Sequence, residues 1–190
     1  DYVEKILDDA TLQANVKGVG TQWECRNNLP QMRERYPHLR FMCSESECGN
    51  GSMDWAAGEH TFFLLSDNLG NGVDEYYNWN FILTDHGESP WGWRQNALIQ
   101  VDSHTRCLRY TAEYYAYKHF SHFVEPGTQM VAYAGREFSR TPIVVFRNAA
   151  GQHIVTAGNF TAEECVVNVK IGRRYLNMVL PAHSFSTYVM

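Results

Sequence analysis

Three short segments of this 190-residue sequence close on residues able to bind and cleave a carbohydrate. Gln22, Trp23 and Glu24 end the run from Lys17, Ser44, Glu45 and Glu47 follow the run from Leu39, and Asn78, Trp79 and Asn80 lie in the aromatic stretch Val73 to Phe81. The next segment adds Asp85, Glu88, Trp91, Trp93, Gln95 and Asn96. Carboxamides and carboxylates hydrogen-bond hydroxyls, and indole faces stack on sugar C–H surfaces. An ionised carboxylate can also attack an anomeric carbon. Each signal has a plainer reading when taken singly: an acidic residue after a strand more often caps a helix or faces water, and a strand Trp usually fills a core. The three segments nevertheless converge carboxylates, carboxamides and indoles on one edge, a combination that suits carbohydrate.

That convergence depends on the elements. Val3, Ile6, Leu7, Ala10 and Ala14 recur at spacings of three and four, which predicts one helix over 2–14. Lys17 to Trp23 reads as a strand. Pro30 suits the first turn of a helix over 30–36 that Pro37 stops, and Leu39 to Ser44 reads as a second strand. A long helix is predicted over 54–69, ending near Gly70, before a third strand from Val73 to Phe81 that is apolar enough to be covered on both faces. Strand, helix, strand, helix, strand implies parallel pairing by right-handed crossovers, and ligands gather at the carboxyl ends of such strands. Residues 83–96 read as a long functional loop and 112–123 as a helix ended by Pro126-Gly127. Six short strands then follow over 128–134, 142–147, 152–158, 164–171, 173–180 and 184–189, with Asn148 to Gly151 as a hairpin turn. The fold class is therefore α/β followed by all-β.

Composition excludes several alternatives. Apolar residues at 44% and charged residues at 19%, without low-complexity tracts, disfavour disorder and fibrous architectures. A net charge of −5 speaks against a nucleic-acid partner. The longest apolar runs, such as Ile143 to Phe146, fall far short of the roughly 18 residues of a membrane span, so no integral membrane segment is expected. Five cysteines at 25, 43, 48, 107 and 165 form no Cys-x-x-Cys pair and read as free, mostly buried thiols. His60, His119 and His122 read as packing or capping residues because no metal-ligand spacing surrounds them, and Glu125 as a turn residue. No phosphate loop, dinucleotide fingerprint or nucleophile elbow occurs, so neither a cofactor nor a metal is expected. Asn50 and Asn159 fit the glycosylation acceptor pattern, which carries meaning only in a eukaryotic secretory pathway. Asp1 is followed by no charged-then-apolar leader, so the start reads as a processed, cloned or truncated end.

Beyond these local signals, Phe41-Met42-Cys43-Ser44-Glu45-Ser46-Glu47-Cys48-Gly49-Asn50-Gly51 resembles the nucleophile strand of glycoside hydrolase family 30, the glucosylceramidase-like retaining β-glycosidases. Gly18 to Glu24 resembles that family's sixth barrel strand, Tyr77 to Asn80 its eighth, Ser89 to Asn96 the substrate-side loop behind it, and Tyr114 to Gly127 its last barrel helix and exit. The resemblance implies the carboxyl-terminal part of a (β/α)8 barrel, about strands six to eight, over 1–126, followed by a β-sandwich domain over 127–190. It implies Glu45 as nucleophile, with Glu47 the competing assignment, and Gln22, Trp23, Trp79, Asn80, Trp91 and Trp93 as substrate-binding residues. The family's Asn-Glu-Pro-like acid/base motif is absent here, and Glu24 or Glu88 as a substitute would need a new geometry. The acid/base is thus expected from an amino-terminal barrel segment, which becomes a partner along with a β-linked glycoside or glycan. The resemblance favours a secreted or, in animals, lysosomal setting. Two alternatives stay open: a catalytically inactive carbohydrate-binding or structural fragment, and one subunit of a split glycosidase.

Overall fold

The computed structural model describes residues 2–135 and 140–190. The expected amino-terminal helix is two, α1 (Tyr2–Leu7) and α2 (Ala10–Gln13). Asp9 breaks it: in extended conformation, its carboxylate accepts from the Thr11 and Leu12 amides and caps α2. Then come β1 (Gly18–Gln22), a 3₁₀ turn over Trp23–Asn28, α3 (Leu29–Arg35), β2 (Arg40–Glu45), α4 (Trp55–Gly70), β3 (Glu75–Tyr76) and β4 (Ile82–Thr84). Next are β5 (Ile99–Val101), β6 (Leu108–Tyr110), α5 (Ala112–Ser121), β7 (Gln129–Met130), β8 (Ile143–Arg147), β9 (His153–Asn159), β10 (Cys165–Ile171), β11 (Arg174–Leu180) and β12 (Ser184–Val189). Pro30 sits in the first turn of α3, and Asp54 and Thr111 cap α4 and α5 through the Ala57 and Tyr114 amides.

Strands β1, β2 and β3 pair in parallel, in that order. One face of this sheet carries Val19, Phe41 and Cys43 into an apolar cluster with Leu7, Leu29, Tyr36, Leu39 and Val73. The other row, Gly18, Gly20 and Gln22 on β1 and Arg40 and Ser44 on β2, is exposed. The third strand is far shorter than its hydrophobicity suggests. The Tyr77 amide still donates to the Cys43 carbonyl (2.9 Å), but the Trp79 amide donates to Ser46 Oγ (3.0 Å) and Asn78 Nδ2 to the Asn80 carbonyl (2.7 Å). Side chains thereby replace the ladder, and Tyr77, Trp79 and Phe81 are exposed rather than covered.

The segment expected to be a loop over 83–96 begins inside β4, which pairs in parallel with β5, while β5 and β6 are antiparallel. Short strands of mixed polarity such as Leu108-Arg109-Tyr110 carry no readable period, which is why β5 and β6 escape sequence reading. An antiparallel bridge between Glu88 and Arg94 closes the remaining turn.

After α5 the strands follow the predicted order. β7, β8, β9 and β12 form one sheet and β10–β11 a second, with Val145, Val155, Ala157, Val167, Met178 and Leu180 buried between them. β7 is the exception, reduced to two residues of the expected seven, although the Val131 amide still reaches the Val145 carbonyl. A third cluster joins Phe62 and Leu65 of α4 and Ala116 and Phe120 of α5 to Val144 and Phe146 of β8 and Ile154 of β9. The helices that flank the parallel sheet thus share a core with the strand-rich half.

All five cysteines are free, but only Cys43 and Cys48 are buried; Cys25 and Cys107 lie in exposed turns. The Asn159 acceptor is fully buried, its amide donating to the Glu163, Leu180 and Pro181 carbonyls, so that pattern is a structural turn. Among the described residues no helix is long and apolar enough to cross a membrane.

Candidate active site

The pairing of β1 with β2 is regular from Gly18↔Arg40 to Thr21↔Cys43, then shifts so that Gln22 pairs with Glu45. One residue, Ser44, is extra. Strand side chains alternate between faces, so without this bulge Glu45 would share the helix-facing row of Phe41 and Cys43. The shift instead gives it the register of exposed Gln22. Half-buried, the Glu45 carboxylate accepts one hydrogen bond from Trp23 Nε1, at 2.9 Å to Oε1. Trp23 holds that position with φ of 51°, in the left-handed region that a bulky residue rarely enters. Among the described residues no cation pairs with Glu45.

Glu47, two residues on, is placed differently. Its Oε1 lies 3.2 Å from Arg26 Nη1 and its Oε2 2.8 Å from His60 Nε2. Arg26 also donates to the Trp23 carbonyl (3.1 Å) and to Asp67 Oδ2 (3.1 Å). Ser46, between the two glutamates, turns inward and is 4% exposed, its hydroxyl donating to Asn78 Oδ1 (3.2 Å). From there the network runs on: Asn80 Nδ2 donates to Gln95 Oε1 (3.2 Å) and the Asn96 carbonyl (3.0 Å), and Asn96 Oδ1 accepts from the Gly51 amide (2.6 Å).

Of the predicted site residues, Gln22 and Trp23 are brought to Glu45 directly. Trp79 is tied to the same segment through its amide on Ser46, with its indole 46% exposed. Asn80 spends its amide on Gln95 and Asn96, and so braces the strand ends. Trp91 and Trp93 stack on each other at 5.5 Å and 20° on the turn after β4, exposed, and connect to the rest through Gln95. Among the described residues no cluster of His, Cys, Asp or Glu could hold a metal.

Sequence reading placed Asn78 at this edge but missed Arg26, His60, Asp67 and Ser46 as members of the network. Apart from the Trp23 carbonyl three residues before Arg26, their side-chain partners in it lie 13 to 41 positions away, and no local pattern announces them. It also missed Glu113, a carboxyl of α5 only 8% exposed, which burial pushes up to about 7 against the opposing hydrogen bonds of Thr61 and Asn96.

The chain resembles, along nearly its whole length, the carboxyl-terminal portion of the family 30 glycoside hydrolases of glucosylceramidase type. It is 22% identical, over an alignment of 205 positions that covers 99% of its length, to the lysosomal acid glucosylceramidase of Mus musculus, and spans 39% of that protein. SrfJ from Salmonella typhimurium shares its fold with a TM-score of 0.89 at 21% identity, over 100% of this chain and 44% of that one. The catalytic domain of the GH30 xylanase C from Talaromyces cellulolyticus does so with a TM-score of 0.70 at 14% identity, over 96% of this chain and 47% of the other. No protein-family model matches. The chain thus spans less than half the length of each of these relatives.

Proposed function

We propose that the protein carrying this chain is a retaining β-glycoside hydrolase of glucosylceramidase or β-glucosidase type, with Glu45 as its nucleophile. The observation that carries the reading is the bulge at Ser44: it puts Glu45 on the exposed row beside Gln22, under the Trp23 N–H, while Glu47 is held by Arg26 and His60. A nucleophile must be open on one side, and Glu45 meets this where Glu47 is engaged at both oxygens.

In this reading β1, β2 and β3 are strands six to eight of a (β/α)8 barrel over 1–126, and 127–190 is its β-sandwich. A Glu45 oxygen attacks the anomeric carbon as the glycosidic C–O bond breaks, and the leaving oxygen takes a proton from an acid/base on a barrel segment outside this sequence. Water, losing its proton to the same group, then attacks that carbon and frees the Glu45 carboxylate. Gln22 and Asn80 would face sugar hydroxyls, and the exposed indoles of Trp23, Trp79, Trp91 and Trp93 would stack on ring faces. The substrate is a β-linked glucoside such as glucosylceramide, with β-1,6-glucan and β-xyloside as the competing classes.

Incubating the protein with an activated 2-fluoro β-glucoside and mapping the tag by mass spectrometry tests this reading. A tag on Glu45 is expected. A tag on Glu47 would overturn the assignment, and no tag with this reagent or with its 2-fluoro β-xyloside counterpart would favour the inactive, carbohydrate-binding alternative.

A further inference from the structure

We propose that Arg26 is a positioning residue for the nucleophile, acting through Trp23. The inference rests on the reading of Glu45 as nucleophile and adds to it the device that aims the carboxylate. Trp23 is held at φ of 51°, a conformation that a bulky L residue keeps only when its surroundings impose it. Arg26 imposes it: Nη1 donates to the Trp23 carbonyl at 3.1 Å, three residues back in the same 3₁₀ turn. The guanidinium is itself fixed, 14% exposed, between Glu47 (3.2 Å) and Asp67 (3.1 Å).

These contacts close a ring. Glu45 accepts from the Trp23 indole, the Trp23 carbonyl accepts from Arg26, Arg26 pairs with Glu47, and Glu47 is joined to Glu45 through Ser46. The carboxylate and its indole donor are thereby referred to one rigid fork. The ring is anchored to α4 at two points, His60 on the second oxygen of Glu47 (2.8 Å) and Asp67, which also accepts from Asn71 Nδ2 (3.1 Å). An indole N–H on Oε1 fixes the orientation of the carboxylate, leaving Oε2 for attack. Only arginine suits the centre, because three acceptors in different directions need a planar multi-donor fork, and a lysine ammonium on its flexible stem does not hold them in one geometry.

The test uses the protein carrying this chain and the rate at which an activated 2-fluoro β-glucoside labels it, with saturation giving the apparent binding constant separately. Trp23→Phe and Arg26→Met are each expected to slow labelling by about tenfold to a hundredfold, the range that small misplacements of reacting groups produce, and Arg26→Met, away from the sugar-facing indoles, to do so with little change in binding. The double variant is expected to be no slower than the slower single one, since both remove the same hydrogen bond at Glu45. Arg26→Lys, which keeps a charge between Glu47 and Asp67, is expected to label as slowly as Arg26→Met, and it carries the test if Arg26→Met does not fold. Multiplicative effects in the double variant, or wild-type labelling rates in both Arg26 variants, would overturn the positioning role. Absence of label on the wild-type protein would instead refute the nucleophile reading, and the role of Arg26 with it.

Discussion

Glu45 and Glu47 are the same residue type two positions apart, and their surroundings make them different groups. The bulge at Ser44 turns one toward the exposed row, while Arg26 and His60 hold the other. Glu113 shows the same principle in reverse. Its carboxyl is buried beside Thr61 with one oxygen lacking any hydrogen-bond partner, and it ionises near 7 against 4.5 for an ordinary glutamate. The folded state therefore keeps a proton that the unfolded chain releases between those two values. Stability is full below about pH 4.5, falls as pH rises through that window, and the loss is complete above 7, on the order of 3 kcal/mol for a shift of this size. Glu113→Gln, neutral throughout, is expected to match the wild type near pH 4.5 and to be more stable at pH 8. Urea titrations at the two pH values check this, and equal stability differences at both would refute it.

At the scale of the element, the edge proposed as the active site depends on how the segment after β2 is wound. Gly49 and Gly51 adopt φ of 69° and 82°, and a Cβ on Gly49 would stand 2.4 Å from Asn96 Cγ. Gly49→Ala is therefore expected to destabilise by at least about 1–2 kcal/mol, from the left-handed backbone alone. It is also expected to displace Asn96, whose carbonyl holds Asn80, so that glycoside binding weakens together with stability. Denaturant melts and substrate affinity, measured on the same preparation, test both effects; a Gly49→Ala protein with unchanged affinity would separate this winding from the binding edge. Much of this level was legible in advance. The apolar run 39–44, Pro30 at a helix start and the 54–70 helix are local signals, whereas β3 stops after two residues because Ser46 and Asn78, from elsewhere in the chain or off the ladder, take over the hydrogen bonds.

Across the whole molecule, Phe62 is the hinge of the packing. It is fully buried, stacks on Phe185 at 4.7 Å and 7°, and meets Phe120 and Phe160. Phe62→Ala is expected to cost about 3–5 kcal/mol, a large part of the stability of a domain this size. Because its cluster joins α4 and α5 to β8 and β9, the helical and strand-rich parts are expected to melt together. Coincident far-ultraviolet and tryptophan-fluorescence transitions would bear this out; two separated transitions would not. Residues 127–190 made alone would expose Val144, Phe146 and Ile154 and are expected to aggregate, and 1–126 alone, with an open sheet row and an uncovered α4, is expected to be poorly soluble.

By itself the sequence determined the order of the longer helices and of β1, β2 and the last strands, the alternation of those last strands and the segments that carry carboxylates, amides and indoles at strand ends, because hydrophobic period, turn residues and motif runs are properties of neighbours along the chain. Tertiary structure alone decided which glutamate is open, since that depends on a one-residue shift between β1 and β2 and on an arginine whose partners lie 21 and 41 residues away. It also decided that Trp91 pairs with Trp93, that Asn159 is a buried turn residue and that Glu113 holds its proton to near neutrality. Burial and register are set by what packs across space, and no local pattern records them.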